Sequence, residues 1–145
     1  MMKMKSSEDI LSSILKTTQM GQIGIRTVMK YPVHPQLRKA LKDQLREYDS
    51  IETEAHNIAS RRGWQVAELN PGIRMMSEMM TRMTLTGSNT SSKVAKMMIQ
   101  GNTRGMIKGI KNQHRYKQAD EPIQSLGNKL IDRETDNIQQ MKPFL

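Results

Sequence analysis

The chain contains no cysteine. Disulfides, thiolate metal ligands and a cysteine nucleophile are therefore excluded. The absence fits a reducing interior, and a cytoplasmic location is expected. Aromatic residues are scarce: one Trp, one Phe and three Tyr make up 3% of the sequence. The core must be built from Leu, Ile, Met and Ala, which suits helix packing. Valine is sparse and no alternating apolar run occurs, which argues against a sheet. No apolar stretch approaches the roughly 18–20 residues needed to cross a bilayer, so no membrane span is expected. The start, Met1 to Asp9, is basic with no apolar segment behind it, so no signal peptide is expected. Nucleophile-elbow, phosphate-loop and dinucleotide fingerprints are absent.

What is present is methionine and positive charge. Met supplies 14 of 145 residues, and 23 Lys and Arg outnumber 14 Asp and Glu, for a net charge of +9. The length suits one domain with a real core. The surplus charge favours polyanions or an acidic partner and keeps a monomer soluble.

Caps and spacing predict an all-α chain of five helices, over about 7–30, 35–62, 71–86, 90–116 and 121–142. Ser6 or Ser7 can cap the first, with Glu8 and Asp9 in its positive first turn. Leu11, Ile14, Thr18, Ile25 and Met29 recur along it at helical spacing, and Pro32 ends it by pushing Tyr31 out of the helical region. Pro35 opens the second helix and Gly63 suits its left-handed stop. Its buried face should carry Leu37, Leu41, Leu45 or Gln44, Tyr48, Ile51, Glu52, Ala55 and Ile58. Asn70 and Pro71 start the short third helix; Asn89, Thr90 or Ser91 caps the fourth; Asp120 and Pro122 start the fifth. Ile123, Leu126, Leu130, Glu134, Ile138 and Met141 share one face of the last.

The connections then order the helices. The first two, and likewise the last two, are joined by a handful of residues, so each pair should form an antiparallel hairpin. The long link over 63–89, which contains the short helix, can run the length of the molecule. Short, long, short is the ferritin-like four-helix arrangement with one crossover.

Such a bundle holds two metal ions with one Glu from each of two helices and a Glu-x-x-His from each of the other two. Here Glu52 is followed at the histidine position by Ala55, and Glu134 by Asn137. The first helix offers Thr18 or Gln22 at that level, and the fourth offers Gln100 or Gly101. No bound cofactor is expected. The residual metal candidates are Glu52, His56 and Glu134, with His56 about 100° round the helix from the expected position. Against them stands a structural reading, in which an inward Glu is satisfied by Arg26, Tyr48, Asn137 or a Lys, or takes up a proton.

Three further features stand out. Gly101, Gly105 and Gly109 form a stripe that reads either as close packing against a neighbouring helix or as a groove for a ligand or partner. Lys93, Arg104, Lys108, Lys111 and Arg115 make a basic face that could follow phosphates or simply be solvated. Met75, Met76, Met79, Met80 and Met83 on the short helix read as a lid on the bundle, as a plastic apolar surface for a partner, or as soft-metal thioethers. His34 and His114 lack an acidic or serine partner in sequence, and His114 belongs with the basic face.

Two stretches carry a family resemblance. One is Val94-Ala95-Lys96-Met97-Met98-Ile99-Gln100-Gly101-Asn102-Thr103-Arg104-Gly105. The other is residues 126–145, with Arg133-Glu134-Thr135-Asp136-Asn137-Ile138 at its centre and Lys142 near its end. With them the chain resembles small bacterial ferritin-like bundles of the spore coat protein F type and related clostridial proteins. The resemblance covers about 110 residues. It implies a four-helix bundle, self-association, and a coat or storage role with spore association. The family's metal pattern does not carry over at Ala55 and Asn137. The expectation is a non-catalytic bundle acting by self-association or partner binding. The alternatives are a reduced metal or redox site, or a nucleic-acid binder on the basic face.

Overall fold

A computed structural model describes residues 6–116 and 120–145; the basic start at 1–5 and the connection at 117–119 lie outside the described residues. The described residues are all-helical, without strands, in the order α1 (Ser7–Val28), α2 (Pro35–Arg62), α3 (Gly72–Thr84), α4 (Thr90–Arg115) and α5 (Glu121–Met141), followed by a 3₁₀ turn, Lys142–Phe144. The ends differ from the sequence expectation by at most two residues, because local chemistry sets them. Ser6 and Asp9 make a reciprocal capping box at α1. The His34 ring nitrogen accepts from the Gln36 backbone at 3.1 Å ahead of Pro35, and Gly63 stops α2 at φ +67°. The Asn70 side chain accepts from Gly72 N–H at 2.8 Å at the start of α3.

Cross-helix contacts fix the directions. Gln22 meets Asp49, and Arg38 reaches back to the Met29 carbonyl, so α1 and α2 are antiparallel. Ser7 meets Tyr116 and Ser13 meets Asn112, so α1 and α4 are antiparallel. Gln44 meets Gln140 and Arg62 meets Asp120, so α2 and α5 are antiparallel. Met106 meets Thr135 and Gln113 meets Asn128, which makes α4 and α5 antiparallel as well. The link between α2 and α4 runs along α1: Ala67 bonds Ser12, Leu69 bonds Gln19, and Glu78 pairs with Lys30.

The four long helices meet at a common core of Leu, Ile, Val, Ala and Met with two buried tyrosines. On α2 the buried row is Leu37, Leu41, Gln44, Tyr48, Ile51, Ala55 and Ile58. This is a strict alternation of four- and three-residue steps, which keeps one seam facing the neighbours. Glu52 is not part of it. It lies one residue, about 100°, beyond Ile51 and is only half-buried on the α1 side. The expected inward placement of Glu52 is thus corrected by register, and Tyr48, one turn earlier, holds the inward position. Leu45, Met29 and Ile138 are likewise half-buried on flanks.

Candidate functional site

The centre of the molecule is polar. Glu134 falls on the seam of α5 between Leu130 and Asn137, and is 2% exposed. The Tyr48 hydroxyl donates to Glu134 Oε1 at 2.5 Å and lies 3.1 Å from Asn102 Oδ1, while Asn137 Nδ2 donates to it at 3.3 Å. Two glycines make room for the pair. A Cβ on Gly21 would stand 2.5–2.9 Å from the Tyr48 ring, and one on Gly105 would stand 2.6 Å from Glu134 Oε2. Side chains at these positions would force the tyrosine ring or the carboxyl to move.

Burial raises the Glu134 carboxyl to about 7, the Tyr48 hydrogen bond opposing part of that rise. Burial, and next the charge of Glu134, push the Tyr48 hydroxyl well above its ordinary value. Hydrogen counting agrees with a neutral carboxyl. Tyr48 has one proton and two acceptors, Glu134 Oε1 and Asn102 Oδ1, within reach. With Glu134 ionised the single Tyr48 proton goes to the carboxylate; with Glu134 protonated the carboxyl can donate to Tyr48 and release the Tyr48 proton to Asn102 Oδ1.

A cavity of about 300 Å³ opens beside this network between α1 and α4. Tyr48, Asn102 and Glu134 form its floor. Because α1 and α4 are antiparallel, their lining residues grade from Lys16, Arg104 and Lys108 at one end to Val28, Met97 and Met98 at the other. Ser77 and Thr81 of α3 close one side. Asn102 is 3% exposed, and its Nδ2 has no hydrogen-bond partner among the described residues.

The residues singled out from sequence are distributed as follows. Glu52 accepts from Gln19 and Gln22, His56 pairs with Glu68 at 3.4 Å, and Glu134 bonds Tyr48. The three are not brought together, and no group of three or more His, Asp or Glu suited to a metal ion occurs among the described residues. At the level of Glu134, α4 presents Asn102 rather than Gln100, which is exposed. The glycine stripe divides: Gly105 seats Glu134 and Gly109 packs on Ile131, but a Cβ on Gly101 meets nothing within 4 Å. The basic face also divides. Lys93 bonds the Thr86 carbonyl at 2.8 Å, Arg104 and Lys108 stand at the cavity, Lys111 is exposed, and Arg115 is half-buried. His34 caps α2, and His114 is exposed in the last turn of α4.

Met75, Met76, Met79, Met80 and Met83 are 61–73% exposed. At 100° per residue they occupy one outer arc of about 140°. The inner face of α3 carries Thr81, which is buried, with Ser77 and Glu78 half-buried beside it. The lid reading is therefore corrected: α3 does cover the cavity, but with hydroxyl side chains, and its methionines face out. Of the partners the sequence offers for an inward Glu, Tyr48 bonds Glu134 directly and Asn137 bonds Tyr48, whereas Asn102 is not among them. Tyr48 carried a usable signal, since a tyrosine on a buried row needs a partner for its hydroxyl.

No protein-family model, curated protein or solved structure matches the chain.

Proposed function

We propose that the protein is a ferritin-like four-helix bundle that acts by self-association through the outer face of α3, in a non-catalytic, structural role of the coat type. The topology is supported by the directions of the helices, with α1 and α5 running one way and α2 and α4 the other, and by a long link that travels along α1. The observation that carries the association is the row of five methionines turned to solvent on a helix that packs inward through Thr81 and Ser77.

Soluble monomers rarely leave so many large apolar side chains together in water. Methionine is flexible and polarisable, so one such row can adapt to another copy of itself across a two-fold axis. Burying a methionine gains at most roughly 1.5–3 kcal/mol, so the ten of a two-fold contact give at most roughly 15–30 kcal/mol against a cost of association of roughly 4–15 kcal/mol plus the ordering of each flexible side chain. The contact is therefore concentration-dependent.

Sedimentation velocity over a concentration series tests it. The wild type should shift to a larger species with rising concentration. A variant carrying Met75→Ser, Met79→Ser and Met83→Ser should stay monomeric with unchanged helicity. A wild type that is monomeric at every concentration removes the proposal.

A further inference from the structure

The association through α3 makes no use of α4, yet α4 holds most of the molecule's surplus charge. This helix carries six Lys and Arg and no Asp or Glu, in a chain whose net charge is +9. The other long helices each mix the two signs. Its neighbours do not neutralise it. Lys96, Arg104 and Lys111 are exposed and stand in no ion pair among the described residues. The α5 side chains that bond to α4 are uncharged, Asn128 and Thr135. The α5 acids have other company: Asp132 shares a surface hollow with Glu47 of α2, and Asp136 pairs with Arg133. On the opposite flank, α1 adds Lys16 and the exposed Met20.

The charge also has a shape. Lys96, Gln100, Arg104, Ile107, Lys111 and His114 are all exposed and recur at steps of four, four, three, four and three. At 100° and 1.5 Å per residue they form a line roughly 27 Å long within an arc of about 80°. Ile107 stands inside this line and Ile110 beside it, 47% and 40% exposed. Duplex nucleic acid would take the cations but would set both isoleucines against phosphates. The helix also has no Phe, Trp or Tyr on which bases could stack. An anionic bilayer surface takes both kinds of side chain: cations sit among the headgroups, and apolar tips reach the acyl boundary just beneath.

We propose that the outer line of α4 docks the protein on an anionic lipid surface. Lys96, Arg104 and Lys111 meet the headgroups, and Ile107 and Ile110 insert between them. The contact is peripheral, since no helix among the described residues is long and apolar enough to cross a membrane.

Cosedimentation of the full chain with vesicles tests the assignment. One set is phosphatidylcholine alone; the other is phosphatidylcholine and phosphatidylglycerol in equal parts. Binding should require phosphatidylglycerol and weaken at least about tenfold between about 50 mM and about 500 mM salt. Lys96→Gln with Lys111→Gln should weaken it roughly 25-fold, about fivefold for each charge at the surface. Ile107→Gln with Ile110→Gln keeps every charge and should still weaken it roughly tenfold, through two partly inserted apolar side chains. Equal binding to the two vesicle sets overturns the proposal. So does undiminished vesicle binding by an isoleucine variant of wild-type helicity. Duplex DNA that binds more tightly than the vesicles, with no effect of the isoleucine pair, assigns α4 to nucleic acid and also overturns it. The Met75→Ser, Met79→Ser, Met83→Ser variant should bind vesicles as the wild type does; loss of binding there places the docking on α3 and refutes the role of α4. Because that variant separates association from docking, either proposal can fail alone.

Discussion

Glu134 is the residue whose chemistry is furthest from its ordinary state. Its carboxyl moves from 4.5 to about 7 through burial, which corresponds to about 3 kcal/mol. The folded value lies above the unfolded one, so the contribution of the neutral carboxyl is fully present below pH 4.5 and lost as pH rises to 7. Urea unfolding at several pH values should show Glu134→Gln close to wild type at pH 4 and more stable by roughly 2–3 kcal/mol at pH 8. Equal effects at both pH values would show that ionisation is not involved. A glutamate on the seam was legible in the sequence, since Leu130, Glu134 and Met141 share a stripe. Tyr48 was among the partners offered for it; the place of the acid on α2 was less legible. Glu52 seemed a second inward acid because a one-residue shift on a broad apolar face is hard to read. The alternating steps from Leu37 to Ile58 settle the register in favour of Tyr48.

Among the elements, α1 and α4 each carry glycines with opposite tasks. Gly24→Ala and Gly101→Ala add a methyl in open space and should each raise stability by up to about 1 kcal/mol, the usual gain of alanine over glycine in a helix. Gly21→Ala and Gly105→Ala force the Tyr48 ring or the Glu134 carboxyl to move and should each cost about 1–3 kcal/mol. Thermal unfolding followed by circular dichroism distinguishes the two pairs by sign. The helix ends were readable from caps and prolines to within two residues, because those signals are local. The orientation of α3 was not. Apolar periodicity marks the methionine arc as the face to bury, and only the surroundings reveal that Thr81 and Ser77 meet the bundle. The basic residues of α4 posed a similar difficulty, since Arg104 and Lys108 gain their setting from Lys16 on a different helix.

For the whole molecule, the net charge of +9 opposes bringing two copies together. Added salt screens that repulsion. Self-association through α3 should therefore strengthen between 50 mM and 500 mM salt, whereas contact with a polyanion through the α4 cations would weaken steeply over the same range. Sedimentation in the two buffers, with and without duplex DNA, separates these behaviours: association that falls with salt in the absence of DNA would count against an apolar contact.

The shallow seat of α3 also bears on motion. Thr81 and the neighbouring Leu85 are its buried anchors, with Ser77 half-buried beside them, so lifting this segment exposes little oil to water and should need far less free energy than unravelling a long helix. Its amides should trade hydrogen for deuterium well before those of α2 or α5. The same brief departures would widen the opening of the cavity, one side of which is Ser77 and Thr81.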